Sequence, residues 1–281
     1  MNRRALLALL GTSALGCRHD AKKTGGLARR LVSLSPGITD ALFAIGAGPS
    51  VVARSDYCDY PPEVTRLPRV GTSLTPAYET ITRLRPSLII GEAGANARKR
   101  ELEAIGPTLL LPWLTLEEII ASLRALGRLT DTTPAADALG VKLRTRLAVP
   151  PPPSGPRVLL VIGYVPGKLD EIWFIRENSL HGAALHAAGA RNAVAEAVAG
   201  LPRLSVERLF TLDPDAIFIL TQSGNASSDY LGPWKALTPL RAVRDGNVKV
   251  IDAPEAYVHG PRILAWVDRL AAAVAVVRRA P

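Results

Sequence analysis

The chain has 281 residues, of which 48% are apolar and 21% charged. It can build a substantial core and is too apolar for wholesale disorder. Its formal net charge is +9, yet four of those nine charges lie before residue 27, so the sum alone does not mark a nucleic-acid binder. Only two cysteines occur, Cys17 and Cys58, which excludes a disulfide framework and a thiolate zinc site.

Residues 1–16 have the layout of an export signal: Arg3 and Arg4, an apolar run from Ala5 to Leu10, then small residues. The arginine pair is compatible with the twin-arginine route as well as the general secretory one. Gly16-Cys17 resembles the end of a bacterial lipoprotein signal, though Ala14 and Leu15 depart from its usual order of residue types; the resemblance would make Cys17 the lipidated residue. Residues 17–26 read as a polar tether ending in Gly25-Gly26. The expectation is an exported chain, periplasmic or held at the membrane through Cys17.

From Leu31 onward, short apolar runs alternate with helical stretches. LVSL (31–34), SVVA (50–53), SLII (87–90) and TLLL (108–111) predict strands. Residues 39–46, 77–85, 97–106 and 116–129 predict helices. Ser35 followed by Pro36 is a helix start, and Gly46 and Gly106 are helix stops. Such alternation predicts a parallel sheet covered on both faces. A further helix, capped by Thr133 and opened by Pro134, runs to about Leu147. Four consecutive prolines, Pro150 to Pro153, then make a stiff connector.

The second half repeats the scheme, with strands predicted at 157–163, 215–220 and 247–252 and helices at 180–190, 205–212 and 260–277. Two motifs recur in the same order. Ala41-Leu42-Phe43-Ala44-Ile45-Gly46-Ala47 is echoed by Ala184-Leu185-His186-Ala187-Ala188-Gly189-Ala190, and Glu79 precedes Pro86 by the interval at which Glu207 precedes Pro214. Duplicated lobes are the better reading. The predicted organisation is an N-terminal lobe at 27–130, an inter-lobe helix and proline-rich connector at 131–156, and a C-terminal lobe at 157–281. The fold class is α/β: two similar Rossmann-like lobes with parallel sheets, bridged by one long helix. A ligand cleft should lie between them, at the carboxyl ends of the strands.

The segments RLVSLSPGITDALFAIGAG, SDYCDYPPE and LPRVGTSLTPAYETITRLRPSLII, with SVERLFTLDPDAIFIL and HGPRILAWVDRLAAAV, resemble the periplasmic binding proteins for cobalamin, haem and iron-siderophores. The likeness covers essentially the whole chain after the tether and is nearest to the cobalamin-binding members. Ser-Asp-Tyr-x-Asp-Tyr-Pro-Pro is its most distinctive part. The resemblance implies a monomeric, non-enzymatic protein that captures a corrinoid between its lobes and delivers it to an ABC importer's permease and ATPase. It implies no catalytic cofactor; the corrinoid is cargo. It places Glu79 and Glu207 where family members carry permease-docking acids. The bland alternative is that they are early-helix acids favoured by the helix dipole.

The candidate ligand contacts are Tyr57 and Tyr60 in the distinctive loop, Ser35 and Pro36 at a helix start, and Ser73, Leu74 and Thr75 in the next loop. Glu92 follows. The second lobe contributes Trp173, Phe174 and Arg176, in a loop before a helix, and Glu255, Tyr257 and His259 in the last loop. Aromatic and polar groups in a wide cleft suit large, flat, partly apolar ligands. The cobalamin-binding members carry tryptophans in several of these loops, where this chain has Ser73 or Leu74, Glu92 and Glu255. A haem or ferric siderophore therefore stands as the alternative cargo, and a cationic or amine-bearing ligand would suit the two acids.

Other chemistry is weakly signalled. His181 and His186 lie off same-face helical spacing, so a zinc site is not predicted. His259 alone is placed to reach a metal at the centre of a tetrapyrrole. An α/β enzyme acting on a small polar substrate is the second alternative, but no G-x-G-x-x-G, P-loop or G-x-S-x-G supports it. Arginines are scattered along helices with no nucleic-acid motif.

Overall fold

The computed structural model describes residues 29–94, 97–165, 169, 171–222 and 230–277. Residues 1–26, expected to hold an export signal and a tether with Cys17, lie outside the described residues.

The first half runs β1 (Leu31–Ser33), α1 (Pro36–Ala44), β2 (Val51–Arg54), α2 (Tyr78–Arg83), β3 (Leu88–Glu92), α3 (Lys99–Glu103) and β4 (Thr108–Leu111). The strands form one sheet in the order β2-β1-β3-β4, and every pairing is parallel. Strand periodicity divides the apolar side chains between its two faces. Leu31 and Ile90 join the core that contains Ile38 and Leu42 of α1, whereas Val32 and Ile89 join Ile81 of α2 and Leu102 of α3. Helix α1 starts as the sequence predicts: Ser35 accepts from the Ile38 amide at 3.3 Å, and Pro36 opens the first turn. It stops at Gly46, whose φ of +83° needs glycine.

Helices α4 (Leu116–Leu129) and α5 (Thr133–Leu147) pack against one another. A capping box starts α4: the Glu118 carboxylate accepts from Thr115 N at 2.9 Å, and Thr115 Oγ1 accepts from Glu118 N at 3.2 Å. The prediction for α5 holds to within one residue, the cap position being Thr132.

The second half contains β5 (Arg157–Tyr164), β6 (Ile172–Phe174), α6 (Leu180–Ala187), β7 (Arg191–Asn192), β8 (Arg203–Leu204), α7 (Val206–Leu212), β9 (Ala216–Thr221), α8 (Gly232–Lys235), α9 (Arg241–Arg244), β10 (Val248–Asp252) and α10 (Ile263–Ala275). Its sheet runs β10-β9-β5-β6-β8, with β7 also on β5. Here the expectation of parallel sheets needs correction. β10, β9, β5 and β7 are parallel, but β6 and β8 are antiparallel additions. The connection between β5 and β6 holds no helix among its described residues, and a short return of that kind pairs strands antiparallel. Trp173 and Phe174, expected in a loop, therefore lie on a strand.

One apolar core joins the two halves. It runs from Leu31, Leu42 and Trp113 through Ile119 and Leu143 to Leu180, Leu185, Ile263 and Trp266, all buried. Each such side chain contributes about 1.5–3 kcal/mol, so the halves are fastened through α4, α5, α6 and α10 rather than merely tethered.

Candidate functional site

The carboxyl ends of β1 and β3 are neighbours in the first sheet, and their loops open a cavity of about 270 Å³. Among the residues lining it are Ser35, Pro36, Ser73, Leu74 and Glu92, five that the sequence singles out. Ser35 Oγ donates to Glu92 Oε1 at 2.5 Å. Glu92 as a whole residue is exposed, but its carboxyl end turns in onto the buried Ser35, and this burial raises its pKa, with the Ser35 hydrogen bond opposing. The 72–75 turn is built on Thr72, whose hydroxyl accepts from Leu74 N at 3.2 Å and Thr75 N at 3.0 Å. It presents Leu74 at 55% exposure. Thr75 uses its hydroxyl on Thr72 and does not line the cavity.

The distinctive loop after β2 is pinned from beneath. Arg54, buried, donates to the carbonyls of Ser55, Asp56 and Thr65. Cys58 is fully buried between Thr39 Oγ1 at 3.1 Å and Ser55 Oγ at 3.4 Å. Its neighbours Tyr57 and Tyr60 are left outside, at 71% and 45% exposure. One face of Tyr60 is already taken, by the Arg262 guanidinium 4.7 Å from the ring centre.

The second-half candidates divide. Trp173 is 40% exposed on β6, while Phe174 beside it is 2% exposed and packs in the core under the sheet. Arg176 donates to the Val198 and Gly200 carbonyls. Glu255 is paired with Arg269 of α10 at 3.3 Å, so its charge is answered within the chain. Tyr257 donates to Leu220 O at 2.6 Å, and burial pushes its pKa to about 12. His259 stacks edge-on against the buried His181 with ring centres 4.5 Å apart. Burial, then the Arg176 charge, lowers the His259 pKa to about 4, and burial holds His181 well below the usual histidine range. Both rings are neutral at pH 7. No group of three or more His, Cys, Asp or Glu suited to a metal ion occurs among the described residues.

The two sets of loops meet at residues that sequence reasoning missed. Trp113 donates its indole N–H to the His259 carbonyl at 2.5 Å. Gly37 lies so close that a Cβ would stand 1.9 Å from that same oxygen. Asp40, its side chain 2% exposed, pairs with Arg262 at 2.6 Å, and Arg262 also reaches Asp59 at 3.7 Å. An acid inside the apolar run ITDALFAIG was the available signal.

Glu79 and Glu207 lie exposed in the first turns of α2 and α7, and neither has an ion-pair partner among the described residues. The Ser205 hydroxyl and the helix's own backbone amide hold the Glu207 carboxyl below its usual range. The helices are equivalent: α2 leads to β3 and α7 to β9, each through a left-handed residue, Arg85 (φ 46°) or Asp213 (φ 38°), placed before the proline.

A family model described as periplasmic binding protein matches residues 31–255. The vitamin B12-binding protein of Vibrio cholerae is 27% identical over 264 residues, covering 86% of this chain and 88% of that protein. The vitamin B12-binding protein of Photorhabdus laumondii is 29% identical over 256 residues, covering 86% of each. Among solved structures, a periplasmic heme binding protein from Pseudomonas aeruginosa superposes with a TM-score of 0.72 at 27% identity, covering 90% of this chain and 95% of the other. The periplasmic vitamin B12 binding protein of Vibrio cholerae gives 0.70 at 26%, covering 90% and 99%. With two α/β lobes, cleft-edge loops and a match over most of its length, the chain belongs to the periplasmic binding protein family, as a substrate-binding protein of the ABC-importer type and not an enzyme.

Proposed function

We propose that this protein captures a corrinoid in the cleft between its lobes and hands it to an importer's permease. The likeness to vitamin B12-binding relatives over 86% of the chain carries this reading. The exposed Tyr57, Leu74 and Trp173 supply flat and apolar surface, and Ser35, Ser73 and Glu92 supply polar groups beside it. The lobes correspond to residues 27–130 and 157–281, with 131–156 between them. Glu79 and Glu207 are the docking acids: exposed, without an ion-pair partner among the described residues, and on equivalent helices of the two halves. Residues 1–16 direct export, and Cys17 provides a lipid anchor.

Haem is the second reading. The Pseudomonas aeruginosa heme binding protein is as similar in sequence and in fold as the vitamin B12-binding relatives. Calorimetric titration of the purified protein with cobalamin, haem and a ferric siderophore separates them.

A further inference from the structure

In open α/β sheets, the start of the helix after the first strand is a ready-made seat for an anion. Here that place is filled from within, because the Glu92 carboxylate sits on the Ser35 hydroxyl at the head of α1.

Several hydrogen-bonding groups around the cavity are already engaged within the chain. Ser35 Oγ accepts from Ile38 N and spends its proton on Glu92. The lining amides of Leu34, Leu74, Ala93 and Ala97 all donate within the chain, to Ile90 O, Thr72 Oγ1, Leu111 O and Gly94 O. Arg98, on the same loop, is turned to the Leu74 carbonyl at 3.3 Å and to Glu101 at 3.4 Å. Glu92 has no ion-pair partner among the described residues. Among the described lining side chains, the capacity left over is that of the Ser73 hydroxyl and, as the one charged group, the Glu92 carboxylate, which accepts and does not donate. At about 270 Å³ the cavity suits one arm or edge of a ligand rather than a whole tetrapyrrole.

We infer that Glu92 makes this cavity the seat of a hydrogen-bond-donating arm, such as a carboxamide, and bars an arm that ends in a carboxylate. This rests on the capture reading and adds a selection rule to it. Corrin rings carry carboxamide arms, whereas haem presents two propionates. A carboxylate brought to Glu92 would meet like charge, and a carboxamide would supply a donor to the Glu92 lone pairs that Ser35 leaves free.

The test compares cobalamin with its three monocarboxylate isomers, each having one propionamide hydrolysed, and haem with haem dimethyl ester. For the unaltered protein, at least one isomer should bind about tenfold more weakly than cobalamin, and haem more weakly than its ester. Glu92→Gln, checked for unchanged melting temperature, should shrink the largest ratio to about threefold or less. The inference is overturned if no isomer and no haem pair shows such a ratio, or if Glu92→Gln weakens amide and acid forms equally. Should haem bind and cobalamin not, the corrinoid reading fails, while the ester-to-acid ratio still decides the role of Glu92. Binding of neither family overturns both. The unaltered protein's ratios remain decisive if the variant does not fold.

Discussion

Asp40 shows how a buried acid can serve a junction. Desolvation raises its pKa to about 6, against the opposing pull of Arg262, with Asp59 adding a smaller push upward. The folded chain therefore holds this proton to a higher pH than the unfolded chain, whose aspartate titrates near about 4. Its contribution to stability is full below that value and is lost as the pH rises through about 6. Arg262→Met would leave the ionised Asp40 without a partner. It should destabilise the protein by about 3–5 kcal/mol at pH 8, and by clearly less at pH 5, where Asp40 is mostly protonated. Urea denaturation at the two pH values checks this; equal losses would mean that Asp40 does not titrate with the fold. The pair was not legible in the sequence, because its members stand 222 residues apart. Glu255 was misleading for the same reason: a loop acid looks free until α10 brings Arg269 onto it.

At the scale of elements, the helix-to-strand motifs around Glu79 and Glu207 share more than letters. Arg30, just before β1, donates through Nη2 to Leu84 O at 2.7 Å, and Arg157, at the start of β5, donates to Leu212 O at 2.8 Å and Asp213 O at 2.6 Å. Each arginine caps the last turn of the helix that carries the exposed acid, satisfying carbonyls that would otherwise lack partners. Arg157→Met should cost about 2 kcal/mol through two charge-assisted hydrogen bonds, read from urea denaturation, with ligand affinity kept. An unchanged midpoint would show the cap to be idle. Most helices and the longer strands were legible, since their apolar periodicity and caps are local. β6 was not, because Ile172–Phe174 is too short to show alternation and its flanks are charged. The arginine caps were hidden by separations of 54 and 55 residues. In the site, the loops of the first half were legible from strand and helix ends, and five of their residues meet at one cavity. Which second-half residues are already engaged was decided by packing and could not be read in advance.

For the whole molecule, a core shared by both halves and the contacts of Gly37 and Trp113 with His259 fasten the lobes together. Glu79 and Glu207, the proposed docking acids, are exposed and outside that core, so replacing them is expected to leave the cleft unaltered. Reversing both charges, Glu79→Arg with Glu207→Arg, should abolish ligand-dependent uptake in a reconstituted importer while shifting affinity by less than about threefold. Loss of affinity alongside uptake would place these acids in the binding site instead. Capture of a corrinoid is tested most directly by calorimetric titration of the purified protein. The corrinoid reading requires saturable one-to-one binding of cobalamin, with haem and a ferric siderophore weaker under the same conditions. Saturation by haem or the siderophore, with only heat of dilution from cobalamin, would contradict it.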